Sequence, residues 1–196
     1  MGQRVILATG NAGKVRELSA LLAPLGWDLV GWAPPVRELR AEEGGTCAGN
    51  AILKAEAACA EHPDAWGLAD DSGLFVAALG GKPGVDTAHF GGPAALVAAM
   101  RDVPVGQRQA YFLCVLALAR PGLPTKLFEA RVEGVIALEL RGTDGFGYDP
   151  VFVPSWGPRS DEFGPTNAEL GVELKNQYSN RAVAAGMVVE WGMDGG

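Results

Sequence analysis

The first 25 residues constrain the fold more than any other stretch. Four apolar residues, Val5 to Ala8, run into the turn Thr9-Gly10-Asn11-Ala12-Gly13, and Val15, Leu18, Leu22 and Leu25 follow. Steps of three and four are the spacing of one helix face. A strand, a tight glycine turn and a helix, in that order, open an α/β fold.

The same alternation continues. Gly26 closes the helix, and WDLVGWA reads as a second strand. TCAGNAILKAEAACAEH is alanine-rich and free of proline, which predicts a helix of about four turns, with Thr46 as its N-cap. WGLAD is expected to be a short strand that delivers DSGL to a loop, and Gly92 to Met100 to be helical. QAYFLCVLALA and KLFEARVEGVIALEL read as long strands separated by the turn RPGLPT. The glycine-rich loop RGTDGFGYDP then leads to a short strand, VFV, and NQYSNRAVAAGMVVEWGM reads as a final helix. No internal repeat or low-complexity linker divides residues 1–196. The expectation is a single α/β domain built on a mixed sheet flanked by helices.

Charge narrows the function classes. The formal net charge is −7 and no Lys/Arg cluster offsets it, which argues against duplex nucleic acid and anionic lipid as partners. A small anionic substrate is compatible if a few cations converge locally. The longest uninterrupted apolar run, Phe112 to Ala119, is far short of a bilayer span. No signal-peptide layout precedes the first strand, so a cytoplasmic protein is expected. Cys47, Cys59 and Cys114 form no C-x-x-C pair and are odd in number, as expected of reduced thiols rather than a zinc site.

Five stretches could carry chemistry, and each has a plainer reading. The opening turn resembles a phosphate loop but lacks the Walker spacing, and Val15 follows Lys14 where Ser or Thr would stand. It could aim backbone amides, Thr9, Asn11 and Lys14 at a phosphate, or be a turn with Asn11 as N-cap and Lys14 in solvent. Asp70 and Asp71 in LADDSGL are hard oxygen ligands suited to Mg²⁺, or could activate a water; an Asx-turn is the alternative. Glu42 and Glu43 precede the alanine-rich helix that carries Lys54, a placement favourable for helix-dipole reasons alone. GFGYDP offers an aromatic shelf beside Asp149, or is an ordinary loop. Lys175 and Arg181 bracket polar residues at a helix start that could equally be solvated. Together these are the parts of a nucleoside triphosphate site.

TGNAGKVREL, EEGGTCAGNAILKA, ADDSGL, LGGKPGVDTAHF, GFGYDPVF and SNRA occur in an order similar to that in the inosine/xanthosine triphosphate pyrophosphatases, over nearly the whole chain. The resemblance implies a homodimer with an elongated mixed sheet and two lobes around a cleft. It implies Mg²⁺-dependent hydrolysis of ITP, dITP, XTP and dXTP to the monophosphate and pyrophosphate. By position, Thr9, Gly10, Asn11, Ala12, Gly13 and Lys14 would hold the triphosphate, with Lys54 as a second cation. Glu42 and Asp71 would bind the metal, Asp71 would also accept the proton of the attacking water, and Ser72 would touch substrate. Phe146, Gly147, Tyr148 and Asp149 would hold base and sugar, while Lys175, Asn180 and Arg181 would close over the purine. Three positions depart from the family pattern: Asn180 stands for its histidine, Gly49 for a glutamate, and His89 for a basic residue. The competing readings are a Maf-like pyrophosphatase acting on other nucleotides and a nucleotide-binding module without turnover.

Overall fold

The computed structural model describes residues 2–32 and 45–195. Glu42 and Glu43 lie outside the described residues. Strand β1 (Arg4–Ala8) leads into helix α1 (Ala12–Leu21), and a 3₁₀ turn, Ala23–Leu25, precedes β2 (Asp28–Trp32). Helix α2 (Cys47–Glu61) is followed by β3 (Trp66–Val76), the two-residue β4 (Pro83–Gly84) and helix α3 (Gly92–Ala99). The long strands β5 (Gln109–Arg120) and β6 (Leu123–Ile136) come next, then β7 (Phe152–Pro154) and helices α4 (Asn167–Leu170), α5 (Val172–Tyr178) and α6 (Asn180–Met193).

The seven strands among the described residues form one mixed sheet in the order β2-β1-β3-β5-β6-β7, with β4 on β3. Strand β1 pairs in parallel with both β2 and β3, Ile6 facing Val30 on one side and Gly67 on the other. Strands β4 and β7 run antiparallel to β3 and β6. The expected α/β class and mixed sheet are what the chain forms.

Three boundaries differ from the sequence expectation. Strand β3 does not stop before DSGL but runs through it to Val76. Asp-Ser-Gly favours a turn, yet β4 pairs with Leu74 and Phe75 and holds the segment extended. Gly73 permits this, because a Cβ there would lie 2.7 Å from the Gly84 carbonyl oxygen. Only Pro121 and Gly122 separate β5 from β6, a link short enough for a hairpin. The final helix is two, because Ser179 adopts extended backbone (ψ 160°) between α5 and α6; helical periodicity cannot reveal a one-residue break.

The chain divides into two compact units. One comprises Met1–Asp71, Cys114–Ala130 and Arg181–Gly196, and the other Ser72–Leu113 and Arg131–Asn180. In the first, Val5, Leu7, Leu18, Leu68, Leu116 and Val188 form an apolar core. In the second, Leu74, Leu96, Met100, Ile136 and Phe152 do so. Arg108, only 2% exposed, is accommodated in the second unit by donating to the carbonyls of Met100, Val103, Ile136 and Ala137. No helix among the described residues is long and apolar enough to cross a membrane.

Candidate active site

Successive residues of a strand point to opposite faces of the sheet, and this separates Asp70 from Asp71. Asp70, 1% exposed, faces α1 and α6. Its carboxylate accepts from Lys14 Nζ and from two nitrogens of Arg181, Nε at 2.6 Å and Nη2 at 3.4 Å. Arg181 also donates from Nη1 to Glu17 at 2.7 Å, and Cys114 Sγ lies 3.4 Å from Asp70. Burial alone would raise the pKa of Asp70, but the charges of Arg181 and Lys14 outweigh it and hold the carboxyl well below the usual range. Burial would likewise favour a neutral guanidinium at Arg181; Asp70 and Glu17 reverse that and push its pKa up.

Asp71, 8% exposed, faces α2. Lys54 Nζ donates to its Oδ1, and Asn50 Nδ2 lies 3.5 Å from its Oδ2. Helix α2 can lie this close because residue 67, on the same face of β3 as Asp71, is glycine. A Cβ there would sit 2.0 Å from the Ala55 carbonyl oxygen. Cys47, in the first turn of α2, has its thiol pushed up to about 12 by burial and then by the charge of Asp71. It is a neutral thiol near pH 7.

The opening turn is built as an N-cap. Asn11 Oδ1 accepts from the amides of Gly13 at 2.8 Å and Lys14 at 3.3 Å, and Asn11 N donates to Thr9 Oγ1 at 3.1 Å. The capping part of the plainer reading therefore holds, but Lys14 is not in solvent. Its side chain is 20% exposed and also donates to the Asp70 carbonyl at 3.2 Å. Gly10, Asn11 and Ala12 are exposed.

In the second unit, Asp149 (4% exposed) accepts from the Phe146 amide at 2.8 Å, Lys175 Nζ at 2.8 Å and Asn167 Nδ2 at 3.3 Å. Lys175, 7% exposed, also lies 4.3 Å from the centre of the Phe146 ring, a cation–π geometry. Tyr148 is buried and donates from its hydroxyl to the Thr87 carbonyl at 2.9 Å; burial raises its pKa, so it stays a neutral phenol near pH 7. Phe146 is half-buried and Gly147 exposed.

A model of the Ham1 family matches residues 5–191. A dITP/XTP pyrophosphatase of Thermus thermophilus is 46% identical over 99% of this chain and 94% of its own length. One from Geobacillus kaustophilus is also 46% identical, over 93% of this chain and 90% of its own length. The chain belongs to the Ham1 family. Among solved structures, a Ham1 protein of Coxiella burnetii superposes with a TM-score of 0.81 at 30% identity, covering 98% of this chain and 99% of that one. The Staphylococcus aureus Ham1 protein gives 0.78, also at 30% identity, over 98% and 99% of the two chains.

In this Ham1 chain, Lys14, Arg181 and Asp70 form one cluster, Lys54 and Asp71 a second on the other face of β3, and Phe146, Asp149 and Lys175 a third. Ser72 is partly exposed on β3, next to Asp71. Asn180 is buried as the first residue of α6, and His89 is exposed. Glu42 lies outside the described residues, so half of the expected metal pair has no described geometry. Among the described residues no group of three or more His, Cys, Asp or Glu converges. The donor chemistry still suits Mg²⁺, which keeps several waters and uses one or two carboxylates together with substrate phosphates. Asp71, a carboxylate partnered by Lys54, has the oxygen chemistry that such a site would use.

Glu17, Asn50 and Asn167 were not singled out by sequence, and Cys47 was read only as a reduced thiol. Glu17 lies three residues after Lys14 on α1, a spacing that puts both on one face, and that was the available signal. Nothing local marks Asn167.

Proposed function

We propose that this chain hydrolyses non-standard purine nucleoside triphosphates, ITP, dITP, XTP and dXTP, to the monophosphate and pyrophosphate with Mg²⁺. Such an enzyme would clear deaminated purines from the cytoplasmic nucleotide pool, and we place it there as a homodimer. The observation that carries the reading is Asp71, a buried carboxylate with a lysine partner, in a chain 46% identical to a dITP/XTP pyrophosphatase over nearly its full length.

In this reading Glu42 and Asp71 hold the metal, which when bound would neutralise phosphate charge. Lys14 and Lys54, with Thr9 to Gly13, bind the triphosphate. Asp71 accepts a proton from the water that attacks the α-phosphorus. A bond forms between that oxygen and phosphorus, the bond to the β-phosphate's bridging oxygen breaks, and pyrophosphate leaves. Lys54 shifts from Asp71 towards the phosphates and stabilises the charge on the leaving group.

Phe146 stacks on the purine, with Tyr148 shaping the loop. Donors from Lys175, Asn180 and Arg181 reward the oxo group of hypoxanthine or xanthine and are left unpaired by the amine of adenine. Arg181 is held in one orientation by Asp70 and Glu17, so little freedom is lost on binding. The test is a nucleoside triphosphate panel with product identification, with and without EDTA. Pyrophosphate release from dITP and XTP, lost with EDTA, is expected. Orthophosphate release would overturn the reaction, and ATP cleaved as fast as dITP would overturn the specificity. Light scattering that gives a monomer mass would overturn the dimer.

A further inference from the structure

Asn167 is the first residue of α4 and 6% exposed. Its amide nitrogen donates to Asp149 Oδ1 at 3.3 Å, and the next residue's backbone N–H, that of Ala168, donates to the Asp149 carbonyl at 3.2 Å. The start of α4 thus grips Asp149 at two points. It is anchored in turn by Thr166, whose hydroxyl donates to the Arg141 carbonyl at 2.9 Å. The amide orientation follows from chemistry: a carboxylate that already accepts from Lys175 and the Phe146 amide accepts again from Nδ2, and would repel Oδ1.

That orientation leaves Asn167 Oδ1 buried and without a hydrogen-bond partner among the described residues. An unpartnered buried acceptor costs about 1–3 kcal/mol, a cost an apolar side chain at the same place would not carry. The bond to Asp149 is the only hydrogen bond recorded for this side chain among the described residues, so it is where an offsetting gain lies. It fixes one carboxylate oxygen and leaves the other, Oδ2, aimed at Lys175 Nζ.

We propose that Asn167 is a positioning residue for base recognition. It sets the rotamer of Asp149, Asp149 sets the ammonium of Lys175 over the Phe146 ring, and Lys175 reads the purine 6-oxo group. The inference rests on the proposed function and extends it to a residue outside the expected set.

The experiment compares kcat and KM for dITP and for ATP in the wild type, Asn167→Ala, Lys175→Met and the double variant, with thermal melts alongside. Asn167→Ala is expected to raise KM for dITP about fivefold with kcat within about twofold, and to lower the dITP-to-ATP ratio of kcat/KM by a similar factor. In the Lys175→Met background the same change should leave that ratio unaltered. A purely structural role would lower both substrates together. A ratio that stays within about twofold of wild type overturns the inference, as does a fall that persists without Lys175. Asn167→Leu serves the same readout if the alanine variant does not fold, because it keeps the side-chain size, removes the bond to Asp149 and leaves no buried polar atom unpartnered. A wild type inert towards dITP overturns the proposed function and this inference with it. An active wild type with an unchanged ratio overturns the inference alone.

Discussion

The two compact units solve the problem of burying charge in different ways. Around β3 in the first unit, three cations (Lys14, Lys54, Arg181) face three carboxylates (Glu17, Asp70, Asp71). In the second, the buried ion pair Asp149–Lys175 is fixed by an amide side chain, a backbone N–H and an aromatic ring. The first is dense in charge and suited to a polyanion. The second cluster has one cation and one carboxylate beside an aromatic ring and suits a flat, neutral ring read by hydrogen bonds. Losing a charge should therefore cost turnover or stability in the first unit and selectivity in the second.

The hardest test of that contrast is Asp71→Asn. It keeps the side-chain shape but removes the proton acceptor, so kcat should fall about a thousandfold while dITP still binds. Single-turnover kinetics with a binding titration check this, and undiminished kcat would exclude Asp71 as the base. Next is Asp70→Asn, which touches no expected substrate atom but leaves Arg181 short of a buried partner. Removing one member of a buried pair costs about 3–5 kcal/mol, so urea denaturation should show a lower midpoint with an unchanged slope. A smaller effect is expected at Asp149→Asn. Lys175 loses its charged anchor, and KM for dITP should rise about tenfold with kcat little changed. Equal losses for dITP and ATP would break the comparison.

The smallest effect is a pH dependence of the Asp70 contribution. Its folded pKa lies below the ordinary value of 3.8. The unfolded chain therefore takes up a proton first as pH falls, and the stability due to Asp70 is full above about pH 4 and declines below it. The stability gap between wild type and Asp70→Asn should narrow over that range in acid denaturation. A gap that widens would reverse the assignment.

Local chemistry was legible wherever the cause was local. Asn11 and Thr46 as N-caps, the strand after Gly26 and the long strands β5 and β6 follow from neighbouring residues. The end of β3 was not legible, because its extension depends on β4 pairing from eight or more residues away. The break at Ser179 was hidden inside a continuous helical pattern.

The sequence by itself determined that Asp70 and Asp71 are adjacent at the end of an apolar strand. That the strand runs on through both, so that alternation turns them to opposite faces, was decided by the pairing with β4. Only the tertiary structure decided which cations meet which carboxylate. Arg181 reaches Asp70 across 111 positions of chain, and Lys54 reaches Asp71 because Gly67 lets α2 approach. Asn167 acquired its place at Asp149 in the same way. Backbone preferences act over a few residues and can be read from order alone. Charge pairing in a buried interior depends on distance in space, which the order of residues does not contain until the chain has folded.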